Sequence, residues 1–192
     1  MEYMNITGLK VGPKVGDRFD DTITNNADIG HYFHDIYKEH FAVQDGKGSD
    51  VPGMFEIKSK ESGKNNSPWS IGSMHEQDII STKYKDTNIC DKLQVHLQIQ
   101  YTKNPNIVKT ITIVNFTDKF TQEKLEKDYN EIANKILALP HDYNKAWEKV
   151  FGTYMHAERI DDSVHWKFRL TTTQMKMLKN AKQFGDLFTE VG

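Results

Sequence analysis

Leu93, Val95, Leu97, Ile99 and Tyr101 alternate with Gln94, His96, Gln98 and Gln100. A period of two belongs to a strand with one apolar and one polar face, because successive side chains of an extended chain point to opposite sides. Positions 107–116 are apolar or β-branched at nearly every residue, as in a central strand covered on both faces. Asn104-Pro105-Asn106 makes the turn between them, so the two segments pair as a hairpin. A hairpin with this much apolar surface must be covered, and the rest of the chain has to supply the cover.

Ile29, Phe33, Ile36, Tyr37 and Phe41 recur at helical spacing over positions 26–42, giving a first helix with one buried face. Thr121 is the expected cap of a second long helix, in which Leu125, Tyr129, Ile132, Ile136 and Leu139 share a face and Pro140 sets the limit. Between these helices, a turn-rich stretch at 45–53 precedes the short strand-like run Met54-Phe55-Glu56-Ile57-Lys58, and Trp69 and Ile71 are placed to rejoin the sheet after a polar loop. The later text reads as a helical or irregular piece at 146–150, strands at 153–157 and 163–170, and a helix at 173–184. Helices and strands in this order predict an α/β fold, a mixed central β-sheet flanked by helices.

The length of 192 residues suits one domain spanning residues 1–192 with a real core. At 37% hydrophobic residues the chain has enough apolar text to fold. No run approaches the roughly 18 apolar residues that span a bilayer, and Met1-Glu2-Tyr3-Met4-Asn5 lacks the features of a signal peptide. A cytoplasmic protein without a membrane partner is therefore expected. The lone Cys90 excludes an internal disulfide. A formal net charge of -2, with Arg18, Arg159 and Arg169 the only arginines, argues against non-specific coating of nucleic acid and leaves room for a local basic groove.

Asp50, Glu56 and Lys58 carry the chemistry. On a strand Glu56 and Lys58 point to one face about 6.6 Å apart, while Phe55 and Ile57 enter the core; Asp50 belongs to the loop before. Two carboxylates brought together repel unless a cation lies between them, and Mg²⁺ prefers such oxygen ligands. A lysine beside that ion can orient an attacking water and offset charge on a phosphate, which are the needs of phosphodiester hydrolysis. The competing account is a plain ion pair on an edge strand. Other groupings are weaker: His31 and His34 with Asp35 lack a further ligand and read as surface histidines, Cys90 and His96 are not a protease pair, and Gly46-Lys47-Gly48-Ser49 is too short for a phosphate-binding Walker loop, so no nucleotide cofactor is expected.

Asp50-Val51-Pro52-Gly53-Met54-Phe55-Glu56-Ile57-Lys58-Ser59 resembles the active-site segment of the PD-(D/E)xK nuclease superfamily, although Ser49 stands where a proline often precedes the first Asp. The preceding helix is similar to one that supplies a further acid in that superfamily, with Asp35 the first candidate and Glu39 the second. Asp91-Lys92-Leu93 and Phe168-Arg169-Leu170 resemble segments of the branch containing the strand-nicking endonuclease of mismatch repair. The resemblance implies a restriction-endonuclease-like fold and cleavage of double-stranded DNA to 5′-phosphate and 3′-hydroxyl ends. It implies Mg²⁺ as cofactor, Mn²⁺ being a substitute. Asp50, Glu56 and the Ile57 carbonyl would hold the ion, with Lys58 near the nucleophilic water and Lys92 as a second cation. Asp35 or Glu39 would position Lys58 or a water.

Three stretches are candidates for contact with the duplex. The 163–170 strand puts Trp166, Phe168 and Leu170 on one face and His165, Lys167 and Arg169 on the other; that basic stripe can grip phosphate or, through Arg169, read guanine. Asn65, Asn66, Ser67 and Trp69 form a polar loop for a groove, and Lys83 and Lys85 can track the backbone. A solvated surface accounts for these lysines equally well. A palindromic site would call for a homodimer. The function expected is that of a type II restriction endonuclease, with a nicking repair or phage nuclease and a non-catalytic DNA-binding protein as rivals.

Overall fold

A computed structural model describes residues 10–43, 48–63, 68–140, 142–143, 145–181 and 186–191. The chain divides into two compact units, one of residues 1–65, 94–116 and 186–192, the other of residues 66–93 and 117–185. The architecture is α/β, with a mixed sheet and helices.

The first unit holds helix α1 (Asn26–Lys38) and strand β1 (Glu56–Glu61). Asn25 caps α1 by accepting the Ala27 N–H at 2.7 Å. The hairpin follows as β3 (Val95–Thr102) and β4 (Ile107–Asn115), and β8 (Phe188–Glu190) closes the sheet in the order β1-β3-β4-β8. β1 runs parallel to β3 and the other pairs are antiparallel, which makes the sheet mixed. The alternation along β3 gives one face Val95, Leu97, Ile99 and Tyr101, which join Ile57, Val108, Ile111 and Ile113 in a core with Ile29, Phe33 and Tyr37 of α1. Aromatic edges tighten this layer: Tyr37 meets Phe55 at 5.6 Å between centroids and Phe19 meets Phe33 at 5.4 Å. The opposite face carries Glu56 beside His96 and Lys58 beside Gln98.

The second unit holds strand β2 (Trp69–His75), short helices α2 (Glu76–Ser81) and α3 (Asn88–Lys92), and long helix α4 (Lys119–Leu137). Strands β5 (Lys149–Phe151), β6 (His156–Arg159) and β7 (His165–Leu170) and helix α5 (Thr172–Ala181) complete it. Its strands form an antiparallel sheet in the order β2-β7-β6-β5. Trp69 and Ile71 thus lie in this second sheet, because β2 finds its ladder in β7 and not in the strand that precedes it. Positions 149–151 are extended where a helical or irregular piece is expected, drawn out by pairing with β6. α4 begins earlier than its apolar period suggests: Asp118, not Thr121, is the cap, accepting the Thr121 N–H at 3.0 Å and the Thr121 hydroxyl at 2.6 Å. Among the described residues no helix is long and apolar enough to cross a membrane.

Candidate active site

The acid of the loop is brought back to the strand by a tight turn. Val51-Pro52-Gly53-Met54 closes with the Met54 N–H donating to the Val51 carbonyl at 3.0 Å, and Gly53 has φ 71. A type II turn requires positive φ at its third position, which glycine supplies, and favours proline at its second. Val51 and Phe55 then form an isolated antiparallel bridge, with Val51 N–H to Phe55 carbonyl at 2.9 Å, so that Asp50 lies alongside the start of β1.

Two hydrogen bonds fix the result. The Asp50 N–H donates to Glu56 Oε2 at 2.9 Å, and the Ile57 N–H donates to Asp50 Oδ2 at 2.8 Å. An aspartate's carboxylate oxygens lie within about 5 Å of its own backbone nitrogen, so the two carboxylates approach within about 8 Å of each other. Both residues are buried, Asp50 at 7% and Glu56 at 1% exposure. Lys58 Nζ is 3.1 Å from Glu56 Oε1. Charges this buried are costly unless compensated; Lys58 stands at ion-pair distance from Glu56.

β1 is the edge strand of its sheet. Ile57 sends its N–H to Asp50 and not into the ladder. The N–H and C=O of one strand residue point to the same side, so the Ile57 carbonyl also faces the outer edge beside Asp50. Along the same face Lys60 is partly buried, and burial draws its ammonium below the usual lysine value.

α1 contributes to this place through a residue the sequence pattern leaves on the surface. His34 Nε2 is 3.5 Å from Asp50 Oδ2. The helical acids expected there are elsewhere: the Asp35 side chain is 67% exposed and pairs with Lys38 at 3.2 Å, and Glu39 is an exposed residue at the end of α1. Each residue along a helix turns the side chain by about 100°, so Asp35 and His34 cannot share one direction.

Lys92 closes α3 in the second unit. Asn65, Asn66 and Ser67 lie outside the described residues. Trp69 is buried at 5%, held in β2 and not displayed by a loop. Lys83 and Lys85 are exposed around a 3₁₀ turn at Tyr84–Asp86. β7 has the expected two faces, Trp166, Phe168 and Leu170 buried and the intervening residues less so. Its basic stripe is partly answered from within: Arg169 Nε is 3.4 Å from Glu158 Oε2 on β6, and the His165 ring meets the His75 ring at 5.3 Å.

Among the described residues no group of three or more His, Cys, Asp or Glu side chains is arranged to hold a metal ion. Two carboxylates and a backbone carbonyl are a smaller set, and that is what the β1 edge offers. No protein-family model matches the chain, and neither a curated protein nor a solved structure does.

Proposed function

We propose that the Asp50, Glu56 and Lys58 site belongs to a Mg²⁺-dependent endonuclease of double-stranded DNA, PD-(D/E)xK-like in chemistry and restriction-endonuclease-like in fold. The specific reading is a type II enzyme working as a homodimer on a short duplex sequence. The mutual clamp of Asp50 and Glu56 carries the proposal, for a loop acid six residues from a strand acid is folded onto it and both are buried.

The donor set fits the ion. Asp50, Glu56 and the Ile57 carbonyl offer hard oxygens, which suit Mg²⁺ or Mn²⁺ and not a thiolate-seeking metal. When bound, such an ion supplies acidity to a water and neutralises charge at a phosphate. Asp50 and Glu56 would hold it at the outer edge of β1. Lys58, within ion-pair distance of Glu56, is the group able to steady an attacking water or a phosphate oxygen. Glu56 in turn keeps the Lys58 ammonium at the site.

The same 3.1 Å pair favours the rival reading, a structural or DNA-binding protein in which Lys58 simply neutralises Glu56. Supercoiled plasmid and phage DNA incubated in Mg²⁺ or Mn²⁺, with the ends mapped, separate the two. The nuclease reading expects cuts bearing 5′-phosphates, at fixed sites for a restriction enzyme, and single-strand nicks for a repair enzyme. Lys58→Ala should lower the rate by about 10² or more with DNA binding kept. Failure of the folded protein to cut in either metal, or full activity of the variant, overturns it.

A further inference from the structure

We infer that His34 is a positioning residue that fixes the Asp50 carboxylate for a divalent cation, an inference that rests on the nuclease reading of this site. α1 lies close over β1, since a Cβ added to Gly30 would stand 3.8 Å from Ser59 Oγ. His34 follows Gly30 by four residues and so lies above it on the same helix flank. Its Nε2 is 3.5 Å from Asp50 Oδ2, within ion-pair distance and a few tenths of an ångström longer than an N–H···O hydrogen bond.

The ring's other nitrogen decides how it acts. Nδ1 is buried and has no hydrogen-bond partner among the described residues. A neutral imidazole has one N–H; placing it on Nδ1 would strand a buried donor and set the Nε2 lone pair against a carboxylate. The favoured tautomer therefore carries its proton on Nε2, the nitrogen 3.5 Å from Asp50 Oδ2. Oδ2 already accepts the Ile57 N–H at 2.8 Å. The Ile57 N–H and the His34 ring thus both address Oδ2, the first as a hydrogen bond and the second as a longer contact, and neither is directed to Oδ1. One oxygen held from the strand and from the helix fixes the rotation of the carboxylate and presents Oδ1 as the ligand atom. Residues that orient a metal ligand in this way tune the affinity of the site for its ion.

The test compares His34→Gln, which retains an N–H donor, with His34→Leu, which retains bulk without one. Mn²⁺ alone is titrated into the full chain without DNA, and binding is followed by calorimetry. His34→Leu should bind Mn²⁺ about tenfold more weakly or worse, and His34→Gln within about threefold of the original protein. In cleavage assays His34→Leu should need more Mg²⁺ for half-maximal rate and recover most of its kcat at saturation. Unchanged Mn²⁺ affinity in His34→Leu, or equal loss in both variants, overturns the role of His34. Where His34→Leu does not fold, the smaller His34→Ala takes its place in the same comparison. A starting protein that neither binds Mn²⁺ nor cuts DNA overturns the nuclease reading along with it; one that does both, beside an unaffected His34→Leu, overturns only this inference.

Discussion

Asp50 and Glu56 brace each other through their backbones: the Asp50 N–H donates to the Glu56 carboxylate at 2.9 Å, and the N–H next after Glu56 returns to the Asp50 carboxylate at 2.8 Å. Each acid thus holds the other's chain segment, with Lys58 at ion-pair distance from Glu56. On the proposed reading, burying both acids is costly to the fold when no cation is bound.

That cost should be measurable. In divalent-free buffer Asp50→Asn is expected to stabilise the protein by about 1 kcal/mol, raising the unfolding midpoint by about 2–4 °C for a chain of this size. Mg²⁺ should raise the midpoint of the original protein and leave that of Asp50→Asn unmoved. Scanning calorimetry with and without Mg²⁺ reads both; an unresponsive original protein would speak against a cation site.

The turn that delivers Asp50 depends on Gly53, whose φ of 71 is left-handed. Gly53→Ala should cost about 1–2 kcal/mol in urea unfolding. Cleavage should fall more than stability alone explains, because the turn sets the distance between the acids. A variant as stable and as active as the original would show that the turn does not matter.

In the second unit, Asp128 accepts the backbone N–H groups of Tyr154 and Met155 and is 2% exposed. Asp128→Ala strands these donors and should cost roughly 1–3 kcal/mol. Burial raises the Asp128 carboxyl above its usual 3.8, against the opposing pull of those N–H groups. The folded protein therefore keeps this proton to higher pH than the unfolded chain does. Its titration favours the fold below about pH 3.8 and loses that contribution as pH rises through the raised value. Relative to the original, Asp128→Asn should gain stability as pH climbs over that window, read from urea midpoints at several pH values.

His156 has the opposite sign. It is buried, its Nδ1 is 2.9 Å from Gln174 Oε1, and burial lowers its pKa below 6.5 although Gln174 pulls the other way. The unfolded chain takes up the proton first, so the contribution is full above about pH 6.5 and is lost as pH falls through the depressed value. Stability should decline there with a slope of up to about 1.4 kcal/mol per pH unit, and His156→Gln should flatten it. Equal slopes in the two proteins would place the acid sensitivity elsewhere.

Much of the fold was legible because it is written in short-range periods. The alternation from Leu93 to Tyr101 names the apolar face of β3, and the β3–β4 hairpin turns at Asn104-Pro105-Asn106. Ile29, Phe33 and Tyr37 mark the buried stripe of α1. At the site, strand parity correctly sends Glu56 and Lys58 to one side and Ile57 to the core. For the helix the resemblance points to Asp35 or Glu39, whereas the residue of α1 at ion-pair distance from Asp50 is His34.

The sequence by itself determined helices α1 and α4, strands β1, β3, β4 and β7, the apolar sides of α1, β3 and β7, and a turn-rich stretch before β1. These follow from side-chain periods and local φ preferences, which act over a few residues. Only the tertiary structure decided that β2 joins β7 in a second sheet, that 149–151 is drawn into a strand, and that His34 is the helical residue beside Asp50. Each of these depends on which distant backbone satisfies a strand's hydrogen bonds, or on the rotation at which a helix settles on its sheet, and neither is encoded by the neighbours of a residue along the chain.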